Sequence, residues 1–221
     1  MIAPGNSKRK IAEISYYYEE FLNYNLVQKI FLCFNQFSFF YLNKRMLFFI
    51  VILLFALVIY NISKNSKWYV YLSIGLYFVG YFILINTNLF NLELIKNNIT
   101  TLSGKTFIQF IASLFLILGL LFIIYLSFRK NKSLESLIGI ISIPFIGICT
   151  KLIMGFSPTV FASSTRTSLF LYFSIIILIG VVIKETNLKN SNSFILLKFV
   201  FSIIISLFAI YGMIINFSLF C

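Results

Sequence analysis

One lysine, one arginine and a run of hydroxyls stand together between two oily blocks. Residues Lys151–Ser168 read Lys-Leu-Ile-Met-Gly-Phe-Ser-Pro-Thr-Val-Phe-Ala-Ser-Ser-Thr-Arg-Thr-Ser, seven of them hydroxyl residues (Ser157, Thr159, Ser163, Ser164, Thr165, Thr167, Ser168). Arg166 offers a rigid fork of N–H donors that fits phosphate or carboxylate bidentately. The hydroxyls of Ser157 and Thr159 both donate and accept, which suits phosphate oxygens or sugar hydroxyls. Lys151 sits three residues inside the end of the preceding apolar block, where a cation costs about 2.5–3.5 kcal/mol at mid-bilayer and less near an end. It either snorkels to the nearby surface or meets an anion at the outer face. Thr167 or Ser168 can cap the next helix, whose N-terminus presents free N–H groups and partial positive charge. Lys151, Arg166 and that helix start can therefore form one anion site. The plainer reading is a solvated turn carrying one topology-setting charge.

A second polar cluster opens the chain, Pro4-Gly5-Asn6-Ser7-Lys8-Arg9. Pro-Gly-Asn is a turn signal, glycine lets backbone approach a ligand closely, and Arg9 supplies another anion contact. An ordinary polar N-terminus accounts for it equally well. The chain contains no histidine and no aspartate, so a His-based triad and His or Asp metal sites are excluded within it. Cys33, Cys149 and Cys221 have no paired spacing, so neither a metal site nor a disulfide framework is implied, and no cofactor is called for.

The elements that must carry these residues follow from composition. With 60% hydrophobic and 11% charged residues, the chain departs from soluble domains, which hold about a quarter charged residues. The apolar residues come as blocks long enough to cross a bilayer, and in lipid such blocks must be helices. The expected fold is all-α, a polytopic transmembrane bundle of about six spans with an N-terminal interfacial helix. The expected spans are Met46–Ile62, Trp68–Phe90, Thr106–Phe128, Leu134–Met154, Ser168–Ile183 and Phe194–Phe217, in a membrane domain covering 46–221. Residues 1–45 hold the first polar cluster, a surface helix over Ile11–Tyr24 rich in tyrosine, and the ambiguous block Leu26–Leu42. Lys29, Asn35, Gln36 and Ser38 interrupt that block, which reads as interfacial or re-entrant, or else as an extra span.

Eighteen Lys+Arg stand against 6 Asp+Glu. These cations lie in small groups at the ends of oily blocks, unlike the single patch of a nucleic-acid binder. Loops 63–67, 129–135 and 184–193 hold the larger share, which places them on the cytoplasmic side and loop 155–167 outside. The sequon Asn98-Ile99-Thr100 is a chance match in an Asn-rich chain.

Ala3-Pro4-Gly5-Asn6 with Arg9, then Ser157-Pro158-Thr159 and Ala162-Ser163-Ser164-Thr165-Arg166-Thr167, resemble a family of bacterial polytopic membrane proteins similar to the integral-membrane (C-type) glycosyltransferases that use polyprenyl-phosphate sugars. The resemblance implies two exterior loops in the bacterial cell membrane. Asn6 and Arg9 would bind in one, and Ser157, Thr159 and Arg166 in the other, with Lys151 beside it. Ser164 stands where related proteins are expected to carry glycine. In such families the motif loop follows several spans and the catalytic carboxylate lies in an early loop. The resemblance therefore implies a C-terminal half that binds the phosphate of a lipid-linked sugar and is inactive alone, with the N-terminal half as a possible separate partner. A non-catalytic transporter or accessory subunit is the alternative.

Overall fold

The computed structural model describes residues 21, 23–91, 95, 99, 103–154, 156 and 168–186, and all but the short turns among them are helical. The chain divides into two units, Met1–Glu185 and Thr186–Cys221. Most of the surface helix expected over Ile11–Tyr24, and the whole of the span expected over Phe194–Phe217, lie outside the described residues. Helix α1 runs Leu26–Tyr41, α2 Lys44–Ser63, α3 Trp68–Asn86, α4 Gly104–Phe128, α5 Leu134–Met154 and α6 Leu169–Glu185. Among the described residues, four helical stretches are long and apolar enough to cross a membrane: Met46–Ser63, Trp68–Asn86, Gly104–Phe128 and Leu134–Ile153. Their outward faces are oily throughout, with Leu72, Leu76, Val79, Phe82 and Ile83 on α3 and Phe107, Ile111, Leu118 and Phe122 on α4 all exposed. A surface of that kind is matched by lipid and not by water. This is a multi-pass membrane protein.

Local chemistry sets the helix ends. Asn25 caps α1 through a capping box, its Oδ1 accepting from Gln28 N–H at 2.8 Å while Gln28 Oε1 accepts from Asn25 N–H at 2.9 Å. Asn65, at φ 47°, ends α2: the Ser66 N–H reaches the Asn61 carbonyl and the Asn65 N–H reaches Ile62. The second block was expected to continue to Phe90, but α3 stops at Asn86 and a 3-10 turn follows at Asn88–Phe90. Asn86 Nδ2 donates to the Phe82 carbonyl and Thr87 Oγ1 to Leu84, so these short polar side chains take over carbonyls in the last turn. The fourth span begins and ends where expected, and Pro144 is accommodated inside an unbroken α5.

The helices pack as pairs: α5 on α6, α6 on α2, α1 on α4 and α5, and α3 on α4. Small residues set the close approaches, because lipid gives helices no hydrophobic reason to associate. A Cβ on Gly80 would lie 2.7 Å from the Phe115 ring, and one on Gly119 would lie 2.7 Å from the Tyr77 ring. Each helix thus offers a glycine to the other's aromatic knob. Those knobs, Tyr77 and Phe115, stack with ring centroids 5.8 Å apart.

Three contacts bring the C-terminal ends of α2, α4 and α6 to one end of the bundle. Asn61 Nδ2 donates to Ser127 Oγ at 2.9 Å, Tyr60 stacks on Phe128 at 4.5 Å, and Lys132 pairs with Glu185 at 2.5 Å. Loop 63–67, residues 129–133 and Lys184 therefore share that end, the grouping that the charge pattern requires.

Candidate functional site: a polar seam and Lys151

The site begins with the block that composition left ambiguous. Leu26–Tyr41 is a helix of 16 residues whose polar side chains turn into the bundle, with Asn35, Gln36 and Ser38 fully buried. Spacings of three on α1 and four on α4 each keep two side chains on one helix face. Asn35 Nδ2 accordingly donates to Gln109 Oε1 at 3.1 Å, and Ser38 Oγ donates to Ser113 Oγ at 2.7 Å. Gln109 Nε2 also donates to the Leu89 carbonyl at 2.6 Å, and Ser113 Oγ donates to the Gln109 carbonyl. Two of the residues that seemed to interrupt a span, Asn35 and Ser38, are thus the rungs of an interhelical ladder. A double-mutant cycle of Asn35→Ala and Gln109→Ala should return a coupling of about 0.6–2 kcal/mol in unfolding free energy, the range of such bonds between membrane helices.

Above the rungs the ladder passes to tyrosines. The hydroxyls of Tyr41 and Tyr77 share a hydrogen bond at 2.8 Å, and Tyr77 also donates to the Leu116 carbonyl at 3.1 Å. Tyr81 donates to the Tyr41 carbonyl at 2.9 Å, satisfying an acceptor that the end of α1 would otherwise leave open. Tyr77 is the midpoint of α3 and Leu116 the midpoint of α4, so α1 ends at mid-bundle. The chain breaks there at Leu42 and Asn43 and restarts as α2, with the Met46 and Leu47 N–H groups bonded to the Asn43 carbonyl. Irregular backbone at such depth is tolerated only where protein surrounds it.

Lys151 lies at this break. Its Nζ stands 3.6 Å from the centroid of the Phe40 ring, in the last turn of α1, and the residue has 0% exposure. The snorkelling expectation is therefore corrected: the side chain turns inward from α5 and does not reach the surface. Two effects offset the cost of a charge there, about 2.5–3.5 kcal/mol at a span centre. A desolvated cation–π contact contributes about 2 kcal/mol, and the negative end of the α1 dipole contributes about 1 kcal/mol. The ring contact and the helix end thus hold the lysine head inside the seam.

Of the six candidate binding residues, Lys151 alone is placed. Asn6, Arg9, Ser157, Thr159 and Arg166 lie outside the described residues. Ser168, the other end of the hydroxyl-rich loop, is buried at the start of α6, and α6 packs along α5. Sequence reasoning missed Asn35, Ser38, Tyr41, Tyr77, Tyr81, Gln109 and Ser113 as parts of the seam. The available signal was the helical spacing of polar residues within otherwise apolar blocks. Comparison with protein-family models, curated proteins and solved structures finds no match for this chain.

Proposed function

We propose that this multi-pass membrane protein, in a bundle of about six spans, holds the phosphate of a lipid-linked sugar during cell-envelope polysaccharide assembly in a bacterial membrane. The observation that supports the reading is Lys151, a buried lysine at a mid-bundle helix break, three residues before the end of α5 and close in sequence to Ser157, Thr159 and Arg166. In glycosyl transfer from a polyprenyl phosphate, cations stabilise the leaving phosphate and a carboxylate activates the acceptor. This chain supplies the first. Glu135 lies sixteen residues before Lys151 on α5, which is about 24 Å of helix. Glu185 shares the far end of the bundle through its pair with Lys132. Among the described residues, then, neither carboxylate reaches the lysine. In this reading the acceptor-activating group lies outside the described residues or on a partner chain, such as a separate N-terminal half. The same remoteness favours a second reading, a transporter or accessory subunit for lipid-linked sugars.

The test is binding of polyprenyl phosphate to the purified protein in nanodiscs. Arg166→Ala should weaken it at least tenfold, since truncating one partner of a buried charge pair costs about 2–5 kcal/mol, while membrane insertion is unchanged. Undiminished binding would sink the reading. Cysteine placed at Ser164 should react with a membrane-impermeant maleimide from the outside. Labelling only from the cytoplasmic side would overturn the orientation that goes with it.

A further inference from the structure

At the end of the bundle remote from Lys151, three cations each stand over an aromatic ring. Lys64 Nζ lies 5.9 Å from the Tyr60 centroid, Lys67 Nζ 6.0 Å from Tyr69, and the Arg129 guanidinium 5.8 Å from Tyr125. The rings belong to α2, α3 and α4, and the Asn61–Ser127 bond and the Tyr60–Phe128 stack hold α2 and α4 together beneath them. Lys130 and Lys184 are exposed at the same end, and Lys132 is half-buried against Glu185. Among the described residues six cations there face two carboxylates, Glu135 and Glu185, and the second is engaged by Lys132.

A charge that only sets topology needs no ring beneath it. Here each cationic head stands within 6.0 Å of a tyrosine centroid, and tyrosines and cations at the ends of apolar helices gather at the depth where a bilayer keeps its phosphates. Trp68, 73% exposed, marks the same level. The surface directly below is oily, with Leu72, Phe122 and Tyr125 exposed. A ligand filling both surfaces must be amphiphilic, with an anionic head and an apolar tail. We propose that this end of the bundle is a collar for anionic phospholipids, whose phosphodiester groups bridge Lys64, Lys67 and Arg129. The collar is separate from the proposed lipid-linked sugar site and stands or falls independently of it.

The test incubates the purified full chain with phosphatidylglycerol or phosphatidylcholine and counts retained lipid by mass spectrometry. Phosphatidylglycerol should be retained in excess, and the excess should fall about fivefold for each of Lys64→Gln, Lys67→Gln and Arg129→Gln introduced. Lys105→Gln, on the first turn of α4 at the other end, should leave it unchanged. Equal retention of the two lipids, or an undiminished excess in the triple variant, would overturn the proposal. So would displacement by equimolar glycerol phosphate, which would mark a site for soluble anions. Because losing cations can perturb insertion, the unmodified protein provides a second measurement. Its excess of phosphatidylglycerol must shrink as salt rises, and a flat response also overturns the collar.

Discussion

Lys151→Met should fold and melt at least as well as the parent protein while losing its affinity for polyprenyl phosphate. Methionine matches the length of the lysine stem, and its sulfur can rest on the Phe40 ring, a contact worth about 0.3–1.5 kcal/mol. The substitution also removes the cost of burying an ammonium, about 2.5–3.5 kcal/mol at a span centre. The cation–π and dipole attractions that offset that cost are lost with the charge, and these terms leave the net change in stability near zero or favourable. A lysine kept only as a structural tie would give the opposite outcome, a large fall in melting temperature. Thermal unfolding in detergent, followed by circular dichroism, and lipid binding in nanodiscs together separate the two roles. The structural role predicts loss of both, and the binding role predicts loss of one.

Gly147→Val should damage the bundle more than a change at any open glycine. A Cβ at residue 147 would overlap the Ser174 side chain and lie 3.2 Å from the Leu171 Cα, so backbone as well as side chain on α6 would have to retreat. Overpacking of this kind costs about 1–3 kcal/mol, and here it acts on the α5–α6 contact that anchors both ends of the hydroxyl-rich loop. Ser174→Ala should restore only part of the loss, because the Ser174 Cβ and the Leu171 backbone remain in place. Gly139, on the same helix, has nothing within 4 Å of its Cβ position. Gly139→Ala should leave the unfolding midpoint unchanged or raise it. Equal effects at 139 and 147 would show that α5 and α6 do not meet as described.

The spans were legible because each is a continuous apolar block bounded by charge. Leu134–Met154 was read to the residue, and Met46–Ile62 falls within α2. The second block misled at its end because Leu89 and Phe90 prolong the apolar run, whereas the side chains of Asn86 and Thr87 stop the helix. The block Leu26–Leu42 was legible as a membrane segment, interfacial, re-entrant or spanning, but the partners of α1 were not legible. Asn35, Gln36 and Ser38 lower the hydropathy of their own block, and the partners of Asn35 and Ser38 are Gln109 and Ser113, more than seventy positions later. Two polar residues hardly register in a stretch as apolar as Gly104–Phe128. The direction of Lys151 was equally hidden, since a lysine near a helix end satisfies a linear reading whether it points out or in. Phe40 decides it, and Phe40 is brought there only by the packing of α1 on α5.

The proposal that a lipid phosphate is held at the Lys151 end is tested most directly by photo-crosslinking. A polyprenyl phosphate carrying a diazirine next to its phosphate would be irradiated with the full chain in nanodiscs, and the labelled peptides mapped. Label is expected on the break between α1 and α2, on the last turn of α5 around Lys151, and on residues 155–167. Lys151→Met should remove the label. Label confined to the far end, around Lys64 and Arg129, or spread along the lipid-facing side of α3, would contradict the proposal.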